Sequence, residues 1–182
     1  TMDEDDKGNT YFPMGTMQAC TWNLELLEQT GAEIGKEAKY NEVSVWLAPA
    51  INIHRDPLCG RNFEYYSEDP VLAGQCGAAV TKGIQSAGVG VAVKHFALNN
   101  QEYSRSGGDS IVTERAQREV YLKPFEILTK ESDPWFIMTS YNRINGSYAA
   151  TNYELLTTVL REEWGFTGSV MTDWASGKDN GN

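Results

Sequence analysis

Short apolar runs alternate along the chain with longer stretches in which apolar residues recur every three or four positions. The apolar runs are rich in β-branched residues and predict strands, the first two of which are buried on both faces. The predicted strands cover 43–53, 89–98, 135–141 and 167–174. The predicted helices cover 22–40, 68–88, 113–132 and 152–165. Strands separated by helices predict a parallel sheet with right-handed crossovers, and therefore an α/β fold.

Residue spacing and end signals define the helices further. The predicted core-facing residues are Leu26, Leu27, Ile34 and Ala38 in the first helix, and Leu72, Cys76, Ala79, Val80 and Ile84 in the second. Asp69 and Gly88 mark the start and the end of the second helix. In the third helix, Thr113 is the predicted N-terminal cap, and Pro124 is predicted to introduce a kink. Gly165 closes the fourth helix.

Polar side chains cluster at the point where each predicted strand ends. The clusters are His54-Arg55, Lys94-His95, Ser140-Tyr141-Asn142 and Asp173-Trp174. In a parallel barrel the carboxyl ends of the strands share one face, and that face carries the active site. We therefore expect these four clusters to meet.

The length of the chain predicts part of a (β/α)8 barrel of the TIM-barrel type. A complete barrel needs about 250 residues, whereas this chain has 182 and continues for nine residues beyond Asp173. We expect a partial catalytic barrel over residues 11–182, after an acidic and flexible segment at 1–10. The stretch GVGVAV at 88–93 lacks the G-x-G-x-x-G spacing of dinucleotide-binding folds, and no cofactor is expected.

Charge and composition argue against several kinds of partner. The formal net charge of −10 and the isoelectric point near 4.6 argue against a nucleic-acid partner, which would need a basic face to neutralise phosphates. No apolar run approaches the roughly 20 residues of a membrane span, so no membrane contact is expected. The three cysteines are an odd number without a C-x-x-C pair, which slightly favours a reducing, cytoplasmic compartment over a secreted one.

The loop HRDPLCGRNFEYYSEDP at 54–70 combines arginines, carboxylates and tyrosines. One interpretation is a solvated loop whose charges pair with each other. The other is a pocket for a polyhydroxyl ligand, because arginine and carboxylate groups bond hydroxyls and aromatic rings pack on sugar C–H surfaces.

Lys94 and His95 leave three alternatives open. Lys94 could form a structural salt bridge with an acid such as Asp173, or it could form a Schiff base, as lysines of barrel aldolases do. A metal site at His54 and His95 is disfavoured, because the chain has no third histidine and neither an H-x-H nor an H-E-x-x-H motif. We therefore expect no metal.

Five motifs together resemble family 3 glycoside hydrolases, the β-glucosidase-type enzymes. They are GRNFEYYSEDP, VKHFALNNQE, MTSYNRING, LLTTVLREEWGF and VMTDW, in that order, and FPMGTMQACTWNLELL resembles the stretch that precedes them. The resemblance extends from Tyr11 to Trp174. It implies a (β/α)8 barrel that retains anomeric configuration through a covalent glycosyl-enzyme intermediate.

The same resemblance implies a role for each motif residue. Asp173 is the expected nucleophile. Arg61, Lys94 and His95 are expected to hold the hydroxyls of the non-reducing sugar, with Tyr141 close to the nucleophile and Trp174 forming a wall of the site.

The chain departs from the family pattern in two respects. The aspartate of a D-G-P-type motif is absent from it, and so is the glutamate acid/base that β-glucosidase-type members carry in a later domain. Members that act on N-acetylglucosaminides use a histidine soon after the K-H-F motif, and here the corresponding loop ALNNQEYSRSGGDS has none. Glu64, Glu102 and Asp109 remain as acids near the barrel top, with none assigned as proton donor.

The sequence therefore predicts a retaining, exo-acting β-glycosidase that removes terminal β-D-glucosyl residues. Its substrate is expected to be a β-glucoside or oligosaccharide. Other domains or chains of the same enzyme are expected to complete the barrel and supply the acid/base. The alternatives are a Schiff-base aldolase acting through Lys94 and a carbohydrate-binding fragment without catalysis.

Overall fold

The computed structural model describes residues 8–176. Residues 1–7 of the predicted N-terminal segment lie outside the described residues. The α-helices are α1 (Gly15–Ala19), α2 (Leu24–Tyr40), α3 (Pro70–Ser86), α4 (Glu114–Ala116) and α5 (Lys123–Ser132). The strands are β1 (Val45–Trp46), β2 (Gly90–Phe96), β3 (Asp109–Ser110), β4 (Phe136–Thr139), β5 (Arg143–Ile144), β6 (Ser147–Tyr148) and β7 (Ser169–Met171). Two π-helical segments (Gln117–Tyr121 and Glu154–Glu163) and a 3₁₀ turn (Ala149–Thr151) complete the described elements.

The strands β1, β2, β4 and β7 form one parallel sheet in that order, which we call the main sheet. Helical segments lie between successive strands along the chain, so the α/β alternation predicted from the sequence is confirmed. Since all four strands run in the same direction, their carboxyl ends open on one face. A small second sheet, β3-β5-β6, lies in the connections that leave β2 and β4.

The first predicted strand, 43–53, is much shorter in the structure. Only Val45 and Trp46 pair with β2 as a regular strand, and both are half-buried. The rest of the stretch still follows β2 closely, because Ile51 N donates to Lys94 O (2.8 Å) and Lys94 N donates to Pro49 O (3.0 Å). Proline has no N–H to donate, so Pro49 interrupts the regular ladder without moving the chain away.

The helices α2 and α3 begin at the signals that the sequence provides. Asn23 caps α2 by accepting from Leu26 N (3.0 Å), and Asp69 caps α3 by accepting from two backbone N–H groups. Gly88, which follows α3, has a φ of +81°, as expected for a helix stop. Leu26 is 44% exposed and does not face the core, which corrects one prediction for α2. The buried side of α2 instead includes Gly31 and Gly35 alongside Leu27, Ile34 and Ala38.

The predicted third helix, 113–132, is divided into α4, a π-helical turn and α5. Thr113 caps α4 as expected, by accepting from Ala116 N (3.3 Å). Pro124 lies in the first turn of α5 and not at a kink inside one helix. Its ring nitrogen has no hydrogen and its ring excludes a carbonyl four residues back, so the preceding turn widens, with Leu122 N donating to Gln117 O (2.8 Å).

The predicted fourth helix has the right position and a different geometry, since Glu154–Glu163 is π-helical. Gly165 follows it with a φ of +76°. Among the described residues, none of the helices combines the length and the apolar character needed to cross a membrane.

The packing of α2 on α3 depends on glycines in both helices. A β-carbon added at Gly83 of α3 would lie against the backbone of α2 at Glu28 and Ala32, too close for either to remain in place. The close approach of the two helices therefore requires a residue without a side chain at this position.

Gly83→Ala tests this contact. We expect the free energy of unfolding to fall by roughly 1–3 kcal/mol, despite the better helix propensity of alanine, because the contact involves backbone and not a movable side-chain end. Urea denaturation monitored by circular dichroism measures the change. Gly107→Ala is the control, because nothing lies within 4 Å of an added β-carbon there. An unchanged midpoint for Gly83→Ala would show that the helices pack differently.

Candidate active site

A cavity of about 310 Å³ opens at the carboxyl ends of the main-sheet strands. Its volume is at the lower end of the range for small-molecule sites, about 300–1,000 Å³. The lining residues are Leu47, Arg61, Lys94, His95, Arg105, Met138, Tyr141, Asp173 and Trp174. All six site residues predicted from the sequence therefore lie around one cavity.

The main sheet accounts for this convergence. Lys94 and His95 belong to β2, near its carboxyl end. Tyr141 and Asp173 each follow the last residue of their strand by two positions, after β4 and β7. Arg61 comes from the long loop between β1 and α3. Neighbouring parallel strands thus present these side chains on the same face.

Glu64 lies between two of the cations that line the cavity. Its Oε1 atom accepts a hydrogen bond from Arg61 Nε, and its Oε2 atom lies 3.7 Å from Lys94 Nζ. Burial lowers the pKa of Lys94, an effect that the charge of Glu64 opposes and that of Arg61 reinforces. Burial also acts to lower the pKa of Arg61, but its hydrogen bond and charge interaction with Glu64 outweigh this and leave the pKa raised.

These contacts change the structural interpretation of Lys94. The ion-pair partner of Lys94 among the described residues is Glu64, not Asp173 as one alternative from the sequence assumed. The charge of Asp173 still raises the pKa of Lys94, by less than that of Glu64.

His95 is buried, with 1% of its surface exposed, and three cations surround it. Burial lowers its pKa to about 2, and the charges of Arg61, Lys94 and Arg105 contribute to the shift. The imidazole is therefore uncharged at neutral pH. Its Nε2 atom lies 3.8 Å from Asp173 Oδ2, which is too long for a hydrogen bond.

Asp173 is 9% exposed and is held by its own chain segment. Its Oδ1 atom accepts from Trp174 N (2.7 Å), and the Tyr141 hydroxyl donates to Trp174 O. Burial raises the pKa of Tyr141, and the charge of Asp173 adds to the shift. The side chain of Trp174 is 71% exposed, at the mouth of the cavity.

Arg105 is a site residue that the sequence analysis missed. Its guanidinium lies 4.8 Å from the centre of the Tyr141 ring, and its NH1 atom donates to Glu102 Oε2 (2.7 Å). The residue lies in the loop 97–108, which leaves β2 and returns over the cavity. The sequence offers one indication, because Glu102 lies three residues before Arg105 and can pair with it. Such pairs in loops are more often exposed to solvent, so the spacing alone does not predict a site residue.

The acids that the sequence left unassigned all have partners. Glu64 and Glu102 each bond an arginine, and Asp109 Oδ1 accepts from Gly146 N (3.0 Å). His54 and Arg55 do not line this cavity, which corrects the expectation that all four strand-end clusters meet. His54 Nε2 instead lies 2.8 Å from Asn62 O, so the imidazole fixes the loop that carries Arg61. No three His, Cys, Asp or Glu side chains in residues 8–176 are grouped to hold a metal ion.

Comparison with known proteins gives consistent matches over nearly the whole chain. The model of the glycosyl hydrolase family 3 N-terminal domain matches residues 3–180. Beta-glucosidase A of Butyrivibrio fibrisolvens is 53% identical over 165 residues, and the match covers 91% of this chain and 20% of that protein. An exo-alpha-(1->6)-L-arabinopyranosidase of Bifidobacterium longum is 48% identical, with 98% of this chain and 24% of that protein covered.

A comparison with solved structures also finds a beta-glucosidase. The structure of beta-glucosidase 3B from Thermotoga neapolitana in complex with glucose aligns with a TM-score of 0.90 and 57% identity, covering 96% of this chain and 25% of that one. The main sheet is therefore part of a TIM-barrel-type fold, as predicted. The chain spans about a fifth to a quarter of the length of these relatives.

The contacts of Lys94 lead to a prediction about its pKa, which can be tested without an enzyme assay. Glu64→Gln removes the negative charge nearest to Lys94 Nζ while burial and Arg61 remain, so the pKa of Lys94 falls further, by on the order of one unit. Competitive labelling with acetic anhydride across a pH series, with the Lys94 peptide read by mass spectrometry, measures the midpoint.

Glu102→Gln is the matched control, because that carboxylate bonds Arg105 and not Lys94. We expect it to leave the Lys94 midpoint in place. A midpoint that stays the same in Glu64→Gln would contradict the pairing of Glu64 with Lys94.

Proposed function

The chain belongs to glycosyl hydrolase family 3, and we propose that it forms the nucleophile-bearing part of a retaining, exo-acting β-glucosidase. The observation that carries the proposal is the position of Asp173, a nearly buried carboxylate in a cavity whose other walls supply Lys94, His95, Arg61 and Arg105. A carboxylate in such a setting can attack an anomeric carbon, while the surrounding donors and acceptors hold the hydroxyls of the sugar.

In the proposed reaction, a carboxylate oxygen of Asp173 bonds to the anomeric carbon as the bond to the leaving oxygen breaks. The product is a glycosyl-aspartate ester, which water then hydrolyses to regenerate the carboxylate. Lys94, Arg61 and Arg105 bind sugar oxygens through charged donors, which fixes the ring against Asp173. Tyr141 and Trp174 hold the segment that carries the nucleophile through the bond between the Tyr141 hydroxyl and Trp174 O.

Retention also requires a second carboxyl group, about 5–5.5 Å from the nucleophile, that protonates the leaving oxygen. Glu64 and Glu102 are engaged by arginines, so neither is suited to this role. We propose that residues 11–182 form part of the catalytic barrel. Other domains or chains of the same enzyme complete this barrel and supply the acid/base. The chain's coverage of a fifth to a quarter of its relatives supports this view.

The relatives also bear on the sugar. Two of them are named as beta-glucosidases, and one of these is a structure in complex with glucose, which supports a β-D-glucosyl substrate. The arabinopyranosidase, at 48% identity, supports an L-arabinopyranosyl substrate as the competing choice. Comparing kcat/KM on nitrophenyl β-D-glucoside and nitrophenyl α-L-arabinopyranoside decides between them, and the glucoside is expected to be the better substrate.

The Schiff-base alternative has one observation in its favour, since burial lowers the pKa of Lys94. Against it, Glu64 holds the charged amine and the named relatives are glycosidases. Borohydride with a carbonyl substrate would leave a reduced adduct on Lys94 only if an imine forms.

The other alternative is a carbohydrate-binding fragment without catalysis. Such a fragment would bind glucose and form no covalent adduct.

Asp173→Asn tests the proposed nucleophile in the full-length protein that contains this chain. Hydrolysis of nitrophenyl β-D-glucoside is expected to fall by a factor on the order of 10⁴, because an amide cannot form the ester. Asp133→Asn is the matched control, since Asp133 is exposed at the end of α5, where asparagine tolerates its left-handed φ of +45°.

A 2-deoxy-2-fluoro-β-glucoside with a good leaving group tests the intermediate. The fluorine slows both steps and the leaving group speeds the first, so the ester accumulates. Mass spectrometry is expected to find the sugar on the peptide that contains Asp173. Unchanged turnover in Asp173→Asn, or a sugar attached to another residue, would remove Asp173 from the mechanism.

A further inference from the structure

We infer that Asn52 is a positioning residue that fixes the proton of His95 on Nδ1 and leaves Nε2 as a hydrogen-bond acceptor facing the cavity. The role of Nε2 toward a sugar hydroxyl rests on the proposed function. The proton position does not, because it follows from contacts within the chain.

Asn52 is buried, with 2% of its surface exposed, and it lies in the stretch that follows β1 along β2. Its Nδ2 atom donates to His95 O (2.9 Å), and its Oδ1 atom accepts from His95 N (2.8 Å). A backbone N–H can only donate and a backbone carbonyl can only accept. The orientation of the Asn52 amide is therefore unambiguous.

The same Oδ1 atom lies 3.3 Å from His95 Nδ1. An amide oxygen has no hydrogen to give, so this contact is favourable only when Nδ1 carries a proton. The uncharged ring has one N–H proton, since burial lowers the pKa of His95 far below neutral pH. With that proton on Nδ1, Nε2 has a lone pair.

Tyr65 is compatible with this arrangement. Its hydroxyl lies 3.4 Å from His95 Nδ1 and accepts from Asn99 Nδ2 at 3.4 Å. A phenol can either donate or accept, so it adapts to whichever form the ring takes. Asn52 Oδ1 has no such choice, because an amide oxygen can only accept.

Asp173 is the group that competes with Asn52 for the ring proton, because a carboxylate oxygen can only accept and therefore favours a proton on Nε2. Its Oδ2 atom lies 3.8 Å from Nε2, beyond hydrogen-bond distance, whereas Asn52 Oδ1 lies 3.3 Å from Nδ1. The cations Arg61, Lys94 and Arg105 oppose a second proton on the ring. A proton on Nε2 would point toward Asp173 and would draw on the carboxylate that attacks the sugar. A lone pair on Nε2 leaves Asp173 unengaged and can accept a hydrogen from a sugar hydroxyl.

Nitrogen NMR of protein labelled with ¹⁵N at histidine reports the proton position directly, because protonated and unprotonated ring nitrogens have well-separated shifts. Loss of signals in His95→Gln assigns the resonances. We expect a protonated Nδ1 and an unprotonated Nε2 in the wild type. A protonated Nε2 would overturn the inference without any variant of Asn52.

Two variants show whether Asn52 is the cause. Asn52→Asp retains an acceptor toward Nδ1 and is expected to keep its proton there, while its charge raises the pKa of His95 by one unit or more. Asn52→Leu removes the acceptor, and a mixture of the two neutral forms is expected. If Asn52→Leu keeps all of the proton on Nδ1, or if Asn52→Asp leaves the pKa of His95 unchanged, Asn52 has only a structural role.

Substrate analogues test the acceptor role in the full-length protein. In aryl β-glucosides, one hydroxyl at C3, C4 or C6 is replaced by hydrogen or by fluorine. The hydroxyl bound by His95 is the one whose replacement lowers kcat/KM less in His95→Ala than in the wild type. Fluorine accepts but cannot donate. At that position we expect fluorine to reduce kcat/KM by about tenfold, at least as much as hydrogen does.

A fluorinated substrate that recovers much of the activity lost with hydrogen would show that Nε2 donates, and it would overturn the acceptor role. If no aryl β-glucoside is cleaved at all, the proposed function fails. The NMR measurement would still test the position of the His95 proton, because it does not depend on substrate cleavage.

Discussion

Pairing of partly buried charges is the constraint on which the site depends. Arg61, Lys94 and Arg105 meet in one small cavity, and partly removing three positive charges from water is unfavourable unless carboxylates lie beside them. Glu64 compensates Arg61 and Lys94 from behind, and Glu102 compensates Arg105. These two acids are thereby committed to holding the cations in place. Asp173 is the carboxylate of the cavity that remains to act on a ligand.

The main sheet turns this set of charges into a defined geometry. Lys94 and His95 are in β2 and Asp173 follows β7, with β4 between them, so their separation is set by strand spacing and not by a flexible loop. The helix α3 packs against β2, and α2 packs closely on α3. His95 is surrounded by cations and stays uncharged, and Asn52 bonds its backbone on both sides. His95 thus has a fixed charge state as well as a fixed position.

The sequence predicts those parts of the molecule that depend on local pattern. The α/β order, the caps Asp69 and Thr113 and the meeting of three of the four strand-end clusters follow from signals a few residues long, whereas His54 and Arg55 do not line the cavity. The pattern fails where a distant contact decides. Leu26 has the right spacing for the core but lies on the exposed side of α2. The opposite side, which includes Gly31 and Gly35, is the buried one. Pro124 starts α5 instead of bending one helix, because the preceding turn can widen.

The site shows the same division. Arg61, Lys94 and Asp173 stand in motifs, whereas Arg105 reaches the cavity from a loop whose path depends on Glu102 and Tyr141. Asn52 carries no visible signal either, since a buried asparagine in a strand-like stretch is informative only when its partner, His95, is known.

The most direct measurement is a crystal structure of the full-length protein with glucose bound. The account predicts a sugar ring in this cavity, with its anomeric carbon nearest to the Asp173 carboxylate and its hydroxyls on Lys94 and on Nε2 of His95. A sugar seated elsewhere, or one whose anomeric carbon faces away from Asp173, would contradict it.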